Sequence, residues 1–250
     1  MPLVRNIKLT IEYDGTEFNG WQIQDKKRRT VQGETEKVLC KIFKEEIRLY
    51  GSGRTDSGVH AYGQVANFKT ESQLDCGQIL KALNFWLPED IVIRKAEEVP
   101  LNFHAQFSAK NKIYRYTVLN RSVRCAQQRL FSFHYPYRTN LARMRREAKG
   151  LSGRKNFKSF QATDSLRAEN NTIRTVKKIS IRKHGDLVLI DIEANGFLYK
   201  MVRNIVGTLL EIGSGLRPEG SIKKILQEKN RNSAGKTIPS KGLCLIEVKY

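Results

Sequence analysis

The chain has 250 residues, 40% of them hydrophobic, and Lys and Arg outnumber Asp and Glu by 45 to 25, a formal net charge of +20. That hydrophobic share supplies a packed core and excludes a disordered tail, a collagen-like fibre and a low-complexity segment. No run approaches the ~20 consecutive apolar residues that span a bilayer, and Met1 to Lys8 has no apolar stretch leading to a cleavage site, so a soluble protein that stays where it is made is expected.

Ile7, Leu9, Ile11 and Tyr13 alternate with Lys8, Thr10 and Glu12, the period of a strand, which the turn pair Asp14-Gly15 ends. Thr30 caps a helix whose apolar face is Val31, Val38, Leu39, Ile42 and Phe43. A short strand, Ile47 to Tyr50, runs into a glycine-rich loop, and Gln64 to Thr70 is the next strand. Ser72, with Asp75 three residues on, starts a helix carrying Ile79, Leu80, Leu83 and Trp86, stopped at Leu87-Pro88 before a strand from Asp90 to Lys95. The order β-α-β-β-α-β is that of a ferredoxin-like unit. The second half repeats it loosely: a strand at Lys112 to Leu119, a basic helix around Leu141 to Ala148, and strands at Thr172 to Arg182 and Leu187 to Ala194. A helix at Tyr199 to Ile212, ended by Gly213-Ser214-Gly215, a short helix near Glu219 to Gln227 and a last strand from Leu243 to Tyr250 follow. The expected fold class is α+β, two ferredoxin-like halves (1–108 and 109–250) with antiparallel sheets around a central basic cleft.

Cys40, Cys76, Cys125 and Cys244 are far apart, as are His60, His104, His134 and His184. Neither a disulfide framework nor zinc-ligand spacing is present, so a reducing compartment and no structural metal are expected. The positive charge is uneven: residues 1–125 carry a net +5 and residues 126–250 a net +15. Between Lys110 and Arg154 there are 12 basic residues against one acid, Glu147. Such a field concentrates a polyanion, and nucleic acid is the favoured partner. No lipidation motif accompanies the basic helix, which argues against a membrane.

Gly51-Ser52-Gly53-Arg54-Thr55-Asp56-Ser57-Gly58-Val59-His60 is the most informative segment. Its glycines allow tight turns and close approach by a ligand. The charged pair Arg54 and Asp56 on this loop is either a clamp within the fold or a site. The loop lacks the Gly-Lys-Ser/Thr ending of a phosphate-binding P-loop.

With Gly63-Gln64-Val65, this segment resembles the catalytic motif of the tRNA pseudouridine synthase A family. Other segments match in order: Tyr13-Asp14-Gly15-Thr16, Gly20-Trp21-Gln22, Thr30-Val31-Gln32-Gly33, Ala82-Leu83-Asn84, Phe103-His104-Ala105, Lys112 with Tyr114-Arg115-Tyr116, Met201 to Gly207, and Gly242-Leu243 with Val248 and Tyr250. The resemblance covers nearly the whole chain. It implies a pseudouridine synthase fold and isomerisation of uridine to pseudouridine in the anticodon stem-loop of tRNA, at positions 38–40. It also implies a flipped-out base, no metal or organic cofactor, a homodimer and a cytoplasmic location.

The resemblance makes Asp56 the nucleophile. An aspartate is ionised at neutral pH and needs no base to activate it; the plain alternative is that Asp56 caps a turn. The resemblance makes Arg203 the cation that keeps this carboxylate charged and aimed, and Arg54 the group that helps turn out and hold the target nucleotide. It makes Tyr114 the ring that stacks on the uracil, where a core strand residue is the alternative; Leu245, near the end, is a candidate apolar wall of the pocket, with a core strand residue the favoured alternative. Tyr116 is read as core. Lys110 to Arg154 and Lys26-Lys27-Arg28-Arg29 are the candidate RNA contacts. Gln106 stands where the family has Arg, Arg154-Lys155-Asn156-Phe157 departs from its wording, and Ser52 and Ser57 stand in place of Ala. The competing reading is a basic RNA-binding protein that keeps the scaffold without the chemistry. A glycosidase needs two cooperating acids, and the motif offers one.

Overall fold

In the computed structural model, which describes residues 3–24, 28–162 and 170–250, the alternating segment near the start forms β1 (Arg5–Tyr13). Ile7, Leu9, Ile11 and Tyr13 are all buried along it. Backbone contacts divide the chain into two units, residues 1–110 with 244–250, and residues 111–243. The last strand thus groups with the first unit, whereas chain order assigned it to the second half.

In the first unit, α1 (Val31–Phe43) begins at Thr30, whose hydroxyl accepts the Gly33 N–H at 3.2 Å, and ends at Lys44 in the left-handed conformation. Strand β2 (Tyr50–Gly51) is shorter than expected and pairs with β3 (His60–Thr70). The second helix, α2 (Cys76–Trp86), starts later than Ser72 because Asp75 and Gln78 form a reciprocal capping box, while Ser72 Oγ accepts from the Leu74 N–H instead. Its buried face is Ile79 and Leu83; Trp86, expected inward, is exposed with Lys41 Nζ 3.3 Å from its ring centroid. β4 (Ile91–Val99) lies beside β1, giving the antiparallel order β4-β1-β3-β2 of a ferredoxin-like unit. The chain's last strand, β10 (Leu243–Lys249), adds in parallel to the other end of the β3 edge, with Cys244 opposite His60 and Leu245 opposite Ala61.

The second unit has the sheet order β5-β9-β8-β7, from β5 (Asn111–Leu119), β7 (Gly153–Asn156), β8 (Ile173–His184) and β9 (Leu187–Ala194), all neighbours antiparallel. β6 (Phe133–His134) pairs with β5. Strands β6 and β7 were not anticipated: one is two residues long and the other, Gly153-Arg154-Lys155-Asn156, has no apolar alternation. Its helices are α3 (Leu141–Lys149), α4 (Met201–Gly213) and α5 (Ser221–Glu228). Helix α4 is buried nearly all round, as expected of a central helix, and only Arg203 and Glu211 along it are partly exposed. It begins at Met201 rather than Tyr199 because Lys200 is left-handed, with φ 57°. Among the described residues, no helix is long and apolar enough to cross a membrane.

Candidate active site

The loop between β2 and β3 is held from behind by buried side chains. Gln64, fully buried in β3, accepts from Ser52 Oγ at 2.7 Å and donates to the Gly53 carbonyl at 2.9 Å, tying down the strand end that leads into Arg54. Tyr13 Oη lies 2.7 Å from Thr55 Oγ1, and the Trp21 N–H donates to the Thr55 carbonyl at 3.2 Å. Burial pushes the Tyr13 phenol well up from its usual value, so it stays neutral, with its hydrogen bond to Thr55 opposing that shift only in part. On the exit side, Ser57 Oγ and the Gly58 N–H both donate to the Phe18 carbonyl, and the Gly15 N–H donates to His60 Nδ1 at 3.0 Å.

Two glycines are dictated by this closeness. A Cβ on Gly15 would overlap the Val59 carbonyl oxygen, and one on Gly20, whose φ is +87°, would meet the Thr55 carbonyl oxygen. The loop is therefore clamped against two backbone segments, which leaves Asp56 half-buried and Arg54 exposed at its tip. Arg54 makes no hydrogen bond or ion pair among the described residues, which is a geometry open to a ligand. Leu245 is 1% exposed and sits beside Ala61, just past the loop's exit.

In the second unit, Tyr114 is 8% exposed and meets Phe197 edge-on, with ring centroids 5.0 Å apart. Arg203 Nε donates to the Ile238 carbonyl at 2.7 Å. The next carbonyl, of Pro239, accepts from Tyr116 Oη at 2.6 Å, and burial drives the Tyr116 phenol far up, opposed by the positive charge of Arg203. One short strap thus aims both Arg203 and Tyr116. Tyr116 is fully buried, consistent with its reading as core. The predicted site residues accordingly fall into two groups, Arg54, Asp56 and Leu245 in the first unit and Tyr114 and Arg203 in the second.

The basic segments are less available than their sequence implies. Arg29 makes a two-pronged pair with Asp90, at 2.6 and 2.8 Å, and stacks on Phe18, which makes it a brace of the first unit. Lys26 and Lys27 lie outside the described residues. Within Lys110 to Arg154, Arg115 pairs with Asp191, Arg121 with Asp186, and Arg143 and Arg146 with Glu219. Among the described residues, no group of three or more His, Cys, Asp or Glu side chains is arranged to hold a metal ion. Sequence reasoning missed the supporting roles of Gln64, Tyr13 and Trp21; the legible signal was the place of Gln64 in the strand that leaves the motif loop.

Residues 9–108 and 148–250 match the profile of the family described as tRNA pseudouridine synthase. A protein named tRNA pseudouridine synthase A from Thermoanaerobacter sp. (strain X514) is 44% identical over 247 residues, 99% of this chain and all of that one. Proteins of the same name are 43% identical over 247 residues in Clostridium acetobutylicum, with the same coverage, and 46% identical in Geobacillus sp. (strain WCH70), over 98% of both chains. A solved Cbf5-Nop10-Gar1 complex aligns with a TM-score of 0.33 and 12% identity, over 81% of this chain and 54% of that one, a similarity too low to support an inference.

Proposed function

The chain belongs to the tRNA pseudouridine synthase family, an isomerase acting on uridine in tRNA, and from that premise we propose that its target lies in the anticodon stem-loop, at positions 38–40, with Asp56 as nucleophile. The observation that supports this reading most is the clamped loop. A half-buried carboxylate on a backbone fixed by Gln64, Tyr13 and Trp21 is held for a substrate, where a turn cap would need no such bracing. The target base is turned out of its stack, because its reacting atoms are otherwise out of reach. Exposed Arg54 holds the displaced nucleotide by its phosphate, and Tyr114 gives the uracil a flat face. Leu245 supplies an apolar wall, and Arg203, oriented by the Ile238 carbonyl, keeps the carboxylate charged.

Asp56 attacks an electron-poor carbon of the nucleotide, the N1–C1′ bond breaks, the base turns, ribose bonds to C5, and the bond to Asp56 breaks so that the carboxylate is released. The C5 hydrogen leaves as a proton and N1 gains one, so no oxidant or cofactor enters the balance. The enzyme works as a homodimer in the cytoplasm.

The test is release of tritium from tRNA labelled at uridine C5. Wild type should release label and Asp56→Asn should not, while both bind the tRNA. Binding without release by the wild type would make this a non-catalytic RNA-binding protein.

A further inference from the structure

An open dish of about 470 Å³ lies in the second unit, and Lys200, Arg231 and Lys236 are among its lining residues, with Gly235 and Thr237; among the described residues no acidic side chain lines it. The guanidinium of Arg231 is set rigidly: Nη2 donates to Asn204 Oδ1 and Thr237 Oγ1, each at 3.0 Å. Burial lowers the affinity of Arg231 for its proton, and the distant attraction of Glu211 offsets this only in part. A half-buried guanidinium ordinarily has a carboxylate partner. Arg29, Arg115 and Arg217 all have one.

Arg231 has none among the described residues, and neither Lys200 nor Lys236 forms an ion pair there. The nearest candidate, Glu211, is already committed: it accepts from Arg217 Nε and Nη2, both at 3.1 Å, and from the Lys236 N–H at 2.9 Å. Lys200 Nζ lies 4.7 Å from the Tyr199 ring centroid, and the Lys236 side chain is exposed. Three cations lining one dish, with no counter-charge among the described residues, repel one another, and an anion from outside removes that cost.

We propose that this dish seats one phosphodiester group of the substrate RNA, with Arg231 as the fixed donor and Lys200 and Lys236 as the flanking charges. The proposal rests on the reading of the protein as a tRNA enzyme. The geometry fits it: with Nη2 held by Asn204 and Thr237 and Nη1 by the Ala234 carbonyl at 3.4 Å, the guanidinium is fixed in place and its Nε–H makes no hydrogen bond among the described residues, a prepared donor for a phosphate oxygen. The same network also reaches the strap that orients Arg203, since Thr237 precedes Ile238.

The full-length double variant Lys200→Gly/Lys236→Ala tests it. Glycine suits the left-handed backbone at 200, so the fold is kept. Lys236→Glu alone, at an exposed position, is the second variant. In tRNA binding between about 50 and 200 mM salt, the log-log slope should become shallower by about 0.7–0.9 in the double variant, the loss of one phosphate contact. Tritium release at saturating tRNA should keep its maximal rate while KM rises. An unchanged slope and unchanged affinity in both folded variants would overturn the proposal. So would a dish that takes only free anion, seen as inorganic phosphate raising the wild-type Tm, against chloride of matched ionic strength, with the tRNA slope untouched. If no tritium is released by any form and the slope still changes, the catalytic reading fails and the dish stands.

Discussion

Replacing Gln64 with leucine, of similar size, removes two tethers of the loop that carries Asp56 without opening a cavity. Ser52, fully buried, loses the acceptor 2.7 Å from its hydroxyl, and the half-buried Gly53 carbonyl loses a donor at 2.9 Å. Leaving a buried hydroxyl without this acceptor costs about 1–3 kcal/mol, and losing the second bond about 0.5–1.5 kcal/mol, for a total of roughly 2–4 kcal/mol. That corresponds to a fall of roughly 5–15 °C in the melting temperature of the whole chain. With the loop freed at its entry, Asp56 moves by a fraction of an ångström or more, and release of C5 tritium should drop by about 10²-fold. Adding Ser52→Ala removes the hydroxyl that has lost this acceptor, so Gln64→Leu/Ser52→Ala should be at least as stable as Gln64→Leu, while activity stays low. Differential scanning calorimetry and the tritium assay on the three proteins decide the matter. Wild-type melting and turnover in Gln64→Leu would refute the claim that Gln64 holds the loop, and a double variant less stable than the single would refute the argument from the lost acceptor.

Gly15→Ala drives a methyl group into the Val59 carbonyl oxygen, a backbone atom that cannot swing aside. Turnover should fall by more than about tenfold because the loop's exit shifts with it, and wild-type turnover would show that the contact does not position the loop. The buried tyrosines set an alkaline limit. Tyr13 and Tyr116 are held neutral by burial, above the usual tyrosine value of 10.0, so their stabilisation is complete below that pH and is lost as pH rises beyond it. Each contributes a slope of up to about 1.4 kcal/mol per pH unit. Urea midpoints at pH 9 and 11 should differ accordingly, and equal midpoints would contradict the burial of the two phenols.

The elements of the first unit were legible because their signals are local: Ile7 to Tyr13 alternates, Thr30 caps, and Leu87-Pro88 stops a helix. Strands β6 and β7 were not, since two residues have no period and Arg154-Lys155-Asn156 is polar throughout; they are strands only because β5 and β8 offer them hydrogen bonds. The loop around Asp56 was visible in its motif, yet what braces it was not. Tyr13 and Trp21 read as ordinary core aromatics, and nothing local tells that they meet Thr55, 34 or more residues away. Charge was incompletely legible for the same reason: nothing local tells that Arg29 and Arg143 pair with Asp90 and Glu219, distant in sequence.

Because β10 belongs with the first unit, that unit is not contiguous in the chain. A ribosome emits residues 1–110, then all of 111–243, and only then the strand that sits beside His60 and Ala61. At about 5–20 residues per second, the nascent first unit waits on the order of ten seconds with one end of the β3 edge uncovered. During that interval the exit of the Asp56 loop lacks the strand that pairs with it and Leu245 is not yet made, so this part of the first unit matures last, after the rest of the polypeptide has been given time to collapse.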